Sequence, residues 1–255
     1  MRIVIKIGTS TLTHENGSVN LTRFEALCRI VSDIMNSGKE LILVSSGAIG
    51  MGVGKLGLRE RPSDIAGKQA CAAVGQCELM YEYDKLFGEY NHTVAQILLT
   101  APDLACDDRR GKFESTVERL LALGVLPIIN ENDTVATEEI VFGDNDTLAA
   151  KVAVTTEADL LILLSDIDGL YTADPRKDKR ATLISEVREI DDTILALAGK
   201  AGTERGTGGM ETKLRAAKIA TEAGCDMIIA NGSSPELLYD ICEGKAVGTK
   251  FYAKG

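Results

Sequence analysis

The stretch "RIVIKIGTST" (residues 2–11) decides how the chain is read. Its first six residues form a continuous run rich in β-branched Ile and Val, the pattern of a parallel strand buried on both faces. One residue interrupts that pattern. Lys6 sits between Ile5 and Ile7 near the strand's end, where an ammonium buried without a partner loses several kcal/mol or sheds its proton. A cation there should meet an anion, and the "GTST" backbone directly after the strand is suited to holding one. The plainer reading is a lysine that snorkels from the strand end into water.

Outward from this strand, apolar runs and helical patterns alternate. In "LTRFEALCRIVSDIMNSGK" the residues Phe24, Leu27, Ile30, Val31, Ile34 and Met35 follow helical spacing, and the pattern stops at Gly38. "ELILV" (40–44), "TVAQILL" (93–99), "VLPII" (125–129), "DLLILL" (159–164) and "DMIIA" (226–230) read as strands. Helices are expected near 65–88, 109–123 and 210–223, the last ending at Gly224. Such alternation predicts a three-layer α-β-α sandwich around a mostly parallel sheet. No linker or repeat stands out, so residues 1–255 read as a single domain with two lobes dividing near residue 155. In sheets of this kind ligands bind at the carboxyl ends of the strands. The polar loops "GTST", "SSGAIGMG", "NEND" and "SDIDG" each follow a strand, so they share one edge and make a site.

The formal net charge of −10 repels nucleic acid and anionic membrane, so neither is expected as a partner. Six cysteines are scattered without a CxxC pair, and His14 and His92 are the only histidines, which argues against a zinc site. The N-terminus lacks a signal-peptide pattern, and "LLILL" (160–164) is too short to span a bilayer. A reduced, cytoplasmic protein is expected.

Two glycine motifs need separate readings. "GVGKLG" (52–57) matches GxGxxG, but seven residues separate it from the strand ending at Val44, so the tight strand–turn–helix of a dinucleotide site is missing. "GTGGMETK" (206–213) is not a Walker A loop, because no Gly-Lys pair falls at the required distance from Gly206 or Gly202. It still brings glycines, the free amides of a helix start and, one turn on, Lys213. Taken alone, a glycine loop of this kind reads as an ordinary flexible loop with a solvated lysine.

"VFGDNDTLAAKVA" (141–153) places Asp144, Asn145 and Asp146 ahead of a helix expected to begin near Thr147. One helix needs one N-cap, so the surplus suggests side chains directed at a ligand or a lysine. Two lysines with backbone amides suit phosphoryl transfer, which needs positioning and offset of charge, usually with magnesium carried on the nucleotide. A carboxylate acceptor is already ionised at neutral pH and needs no base, which fits a chain with so few histidines.

With these residues assembled, the chain resembles the glutamate 5-kinases, a group within the amino acid kinase family. The segments "IKIGTS" (5–10), "SSGAIGMG" (45–52), "KQACAAVGQ" (68–76), "INENDTVATEEIVFGDND" (129–146), "LLSDIDGLYTADP" (163–175) and "GTGGMETK" (206–213) match in order. The resemblance implies ATP-dependent phosphorylation of the L-glutamate γ-carboxylate, the opening step of proline biosynthesis, with Mg2+ on the nucleotide. It implies catalytic roles for Lys6, Asp146 and Lys213, with Asp146 holding the two lysines. Ser46, Asp133 and Asn145 would bind glutamate in the lobe 1–155. Lys6, Ser165, Asp166, Thr207, Gly208, Gly209, Met210, Glu211, Thr212 and Lys213 would bind ATP, mostly from the lobe 156–255. The resemblance is to a short form without the C-terminal PUA domain, and it implies a homo-oligomer (dimer or tetramer) and feedback inhibition by proline. The alternatives are a sibling kinase acting on acetylglutamate, aspartate, carbamate or uridylate, and a non-catalytic ligand sensor.

Overall fold

The computed structural model describes residues 1–14, 18–136, 145–198 and 209–254. In chain order its strands are β1 (Arg2–Ile7), β2 (Glu40–Ser45), β3 (Val94–Leu99), β4 (Leu126–Glu131), β5 (Leu160–Ser165), β6 (Leu170–Tyr171), β7 (Leu183–Ile184), β8 (Glu186–Val187), β9 (Asp226–Asn231) and β10 (Thr249–Phe251). The helices are α1 (Thr9–Leu12), α2 (Leu21–Asn36), α3 (Ala48–Lys55), α4 (Ile65–Gly88), α5 (Ala101–Ala105), α6 (Asp107–Ala122), α7 (Asn145–Thr155), α8 (Asp192–Ala198), α9 (Met210–Glu222) and α10 (Leu237–Cys242). Among the described residues no helix is long and apolar enough to cross a membrane.

Eight strands form one sheet in the order β3-β4-β2-β1-β5-β9-β10-β8. β1 lies inside it, parallel to β2 and β5, with Lys6 level with Val44 and Leu163. Only β10 runs antiparallel to its neighbour β9. Side chains along a strand alternate between faces, and the two cores show that alternation. Ile3, Ile5 and Ile7 pack with Leu41, Leu43, Ile162 and Leu164 under Phe24 of α2 and Tyr83 and Phe87 of α4. Val4 packs on the other face with Val44, Leu163, Ala149 and Val152 of α7 and Leu214 of α9. Each such aliphatic side chain contributes about 1.5–3 kcal/mol when removed from water. Lys6 shares the parity of Val4, so its side chain is committed to the α7–α9 face. That follows from the sheet and from nothing else.

The strand and helix expectations hold, with local differences that have physical reasons. β4 runs on to Glu131 rather than stopping at Ile129, because Asn130 and Glu131 pair with Leu98 and Leu99 of the neighbouring β3. The "GTST" segment is the start of the short helix α1 rather than a loop, with Thr11 N donating to Gly8 O at 3.1 Å. α7 begins at Asn145, two residues before Thr147. "GVGKLG" lies at the C-terminal end of α3, where Gly57 takes φ +63, the reverse of a phosphate-binding helix start.

Within the matched segments "SSGAIGMG" and "KQACAAVGQ", glycines let α3 and α4 touch. A Cβ at Gly52 would stand 1.9 Å from Cys71 O, and one at Gly75 would stand 1.8 Å from Ala48 O. Both obstacles are backbone atoms, so neither can swing aside. Gly75→Ala is therefore expected to destabilise by about 1–3 kcal/mol, the usual cost of overpacking. Gly111→Ala, on an α6 position with nothing within 4 Å, is expected to stabilise by about 0.5–1 kcal/mol through helix propensity. Thermal or urea melts of the two variants check the contrast; equal effects would show that the α3–α4 contact is soft.

Candidate active site

The carboxyl edge of the sheet gathers Lys6 from β1, Asn145 and Asp146 from the first turn of α7, and Lys213 from the first turn of α9. Asp146 is 1 % exposed. Lys6 Nζ lies 2.8 Å from its Oδ1 and Lys213 Nζ 2.9 Å from its Oδ2. Two ammonium groups from opposite ends of the chain thus sit on the two oxygens of one carboxylate. Burial by itself would push the Asp146 carboxyl up, but the charges of Lys6 and Lys213 outweigh it and hold the group well below the ordinary carboxylate range. Its position in the first turn of a helix favours the anion further. The formal charges of these three groups sum to +1.

Thr212 adds to this cluster from α9. Its hydroxyl lies 2.9 Å from Asp146 Oδ2 and 2.8 Å from Gly209 O. A hydroxyl has one proton, so it serves one of these acceptors at a time. Gly209 is the N-cap of α9 and supplies no side chain to the first-turn amides of this helix. Met210 turns its side chain into the core, and Glu211 faces solvent beside Arg215 at 3.4 Å. Thr207 and Gly208, expected at the nucleotide, lie outside the described residues, as does Asp144.

On the β2–β4 side, Asn145 Nδ2 donates to Ser45 O at 3.0 Å, Ser46 Oγ at 2.8 Å and Asn130 Oδ1 at 3.1 Å. Ser45 Oγ in turn pairs with the buried Tyr83 hydroxyl at 2.9 Å. Gly47, at φ +103, turns the chain from β2 straight into α3. That conformation favours glycine, and it sets the free amides of α3 next to Ser46. Asp133 is half-buried on the turn that follows β4.

At the end of β5, Ser165 Oγ donates to Asp166 Oδ1 at 3.2 Å, and Asp166 lies 3.6 Å from Arg176. Asp168 accepts from Asn231 Nδ2 at 2.7 Å and from the Tyr171 hydroxyl at 2.8 Å, and these bonds hold its carboxyl below the usual range. They tie the loop after β5 to the end of β9. The structure therefore brings Lys6, Asp146, Thr212 and Lys213 into one cluster and Ser46 with Asn145 into another, joined through α7. Sequence reading missed the hydrogen-bonded roles of Gln76, Tyr83, Asn130 and Asn231. Asn130 and Asn231, each polar at a strand end, carried a visible signal.

A parallel α/β sandwich with paired cations at its carboxyl edge defines a class of small-molecule kinase, and residues 1–231 match the amino acid kinase family. The fold is shared with UMP kinase from Bacillus anthracis, at TM-score 0.67 and 17% identity over 100% of this chain and 96% of that one. It is shared equally with carbamate kinase from Giardia lamblia bound to AMP-PNP, at TM-score 0.68 and 17% identity over 99% and 98% of the two chains. Glutamate 5-kinase of Clostridium perfringens is 56% identical over 99% of this chain and 96% of its own length. The Carboxydothermus hydrogenoformans glutamate 5-kinase is also 56% identical, over 99% of this chain and 68% of its own. The chain belongs to the glutamate 5-kinase group of the amino acid kinase family.

Two outcomes test the cluster. Asp146→Asn removes the carboxylate that both Lys6 and Lys213 contact, and about 3–5 kcal/mol of stability should be lost. The folded Asp146 carboxyl is depressed, so its contribution is complete above about pH 5 and is lost as pH falls below about 4. The Tm gap between wild type and Asp146→Asn should accordingly be flat from about pH 8 to 5 and close in acid; a gap that widens in acid would refute the pairing. Separately, Thr212→Val should lower kcat about tenfold and Thr212→Ser should restore it, if the hydroxyl steadies Asp146 by about one hydrogen bond.

Proposed function

We propose that the chain transfers the γ-phosphoryl group of ATP to the γ-carboxylate of L-glutamate, giving L-glutamyl 5-phosphate and ADP. The observation that carries this reading is the placement of Lys6 and Lys213 on one carboxylate. A carboxylate oxygen of glutamate attacks the γ-phosphorus, and the bond from that phosphorus to the β,γ-bridging oxygen breaks, leaving its electron pair on ADP. No proton has to be removed, because the acceptor is ionised at neutral pH. Lys6 and Lys213 offset charge on the transferring oxygens, and Asp146 keeps both amines fixed in place. The amides at the starts of α1 and α9 add neutral donors to the same phosphates.

Ser46, Asn145 and Asp133 hold glutamate at the β2–β4 side, and Ser165, Asp166 and residues 207–213 hold the nucleotide. This division assigns residues 1–155 to the acceptor and 156–255 to ATP. Magnesium, normal for kinases of this family, fits as a companion of the phosphates, where it offsets their charge. Both oxygens of Asp146 are engaged by ammonium groups, and no group of three or more His, Cys, Asp or Glu converges as metal ligands among the described residues. Inhibition by proline and assembly into a dimer or tetramer belong to the same reading and rest on family membership.

Purified protein with ATP, magnesium, glutamate and hydroxylamine should release ADP and form γ-glutamyl hydroxamate. Turnover only with acetylglutamate, aspartate, carbamate or uridylate would select a sibling activity, and ligand binding without turnover would favour a sensor. Lys6→Ala and Lys213→Ala should each lower kcat by about 10²–10³, the scale for removing one donor from a developing charge. Asn145→Ala should chiefly raise the KM for glutamate. The reverse pattern would exchange the two assignments.

A further inference from the structure

Asn145 donates through two N–H protons to three acceptors, Ser45 O, Ser46 Oγ and Asn130 Oδ1. The orientation of its carboxamide therefore depends on which way Asn130 presents its own amide. Asn130 is 2 % exposed and has two anchors. Its Oδ1 accepts from the backbone N–H of Glu131 at 2.9 Å, and that group can only donate. Its Nδ2 donates to Gln76 Oε1 at 2.9 Å. Gln76 is the last residue of "KQACAAVGQ" on α4, a matched segment to which the reaction assigns no role.

We infer that Gln76 is a positioning residue for the acceptor site, acting through Asn130 to hold the Asn145 carboxamide with its oxygen free for the substrate. This rests on the acceptor-site reading above. With Nδ2 of Asn145 occupied by protein acceptors, Oδ1 is left to accept from the α-ammonium group of an amino acid. Ser46, whose oxygen already accepts from Asn145, keeps its proton to donate to the α-carboxylate. The relay thereby sorts donor from acceptor at the two ends of a zwitterion. If Asn130 turned over, its Nδ2 would face the donor Nδ2 of Asn145, and both ends of that recognition would be lost.

The test compares Gln76→Leu, which removes the acceptor, with Gln76→Glu, which keeps an acceptor for Asn130 Nδ2. Steady-state kinetics with glutamate and with ATP are read beside the side-chain amide NMR resonances of Asn130 and Asn145 and the Tm of each variant. For Gln76→Leu, loss of one orienting hydrogen bond should raise the glutamate KM about tenfold while kcat and the ATP KM change less than about twofold. Both amide resonances should move. Gln76→Glu should restore the glutamate KM to within about twofold of wild type. Unmoved resonances in Gln76→Leu overturn the relay, as does a Gln76→Glu variant that matches Gln76→Leu in KM and Tm, which would mark plain packing. If wild type fails to turn over glutamate, the functional reading fails, and the resonances alone still decide the relay.

Discussion

The structure is organised around the carboxylate of Asp146, buried between the amines of Lys6 and Lys213. Each charge alone would be costly so far from water, and an ammonium without a partner would tend to lose its proton. Together they are stable because the attraction at these distances outweighs burial, as the depressed Asp146 carboxyl records. The formal charges of these three groups sum to +1, in a chain of net charge −10. That sum suits a pocket that must attract a polyphosphate which the outer surface repels.

Topology delivers the three groups to one place. β1 sits inside the sheet with parallel neighbours on both sides, so its carboxyl end is surrounded by the ends of β2 and β5. The period of two along β1 turns Lys6 to the face covered by α7 and α9, and both helices start at that edge. Helix starts favour anions, and the starts of α1, α3, α7 and α9 lie at this edge. On the opposite face, the glycine contact between α3 and α4 fixes the position of Gln76 and Tyr83 against the ends of β4 and β2. The charged half and the hydrogen-bonded half of the site meet at adjacent residues, Asp146 and Asn145.

Much of the fold was legible in the chain. Unbroken apolar runs such as "DLLILL" have few alternatives to a strand buried on both faces, and the α2 pattern from Phe24 to Met35 matches the observed helix. Short elements were not legible. β6, β7, β8 and β10 are two or three residues long, and their pairing depends on what lies beside them rather than on any periodicity. The extension of β4 through Asn130 and Glu131 has the same cause, since two polar residues join a strand only because β3 offers matching hydrogen bonds.

By itself, the sequence determined that Lys6 needs an anion, that the surplus of Asp and Asn before α7 exceeds what capping uses, and that polar loops follow the strands. Those inferences rest on local chemistry, on desolvation and on hydrogen-bond capacity, which belong to a residue wherever it sits. Only the tertiary structure decided which anion meets which cation and which amide orients which. Lys6 and Lys213 are separated by most of the chain, and Gln76, Asn130 and Asn145 lie on three different elements. Their distances are set by the packing of helices on a twisted sheet, and no local pattern encodes such a distance.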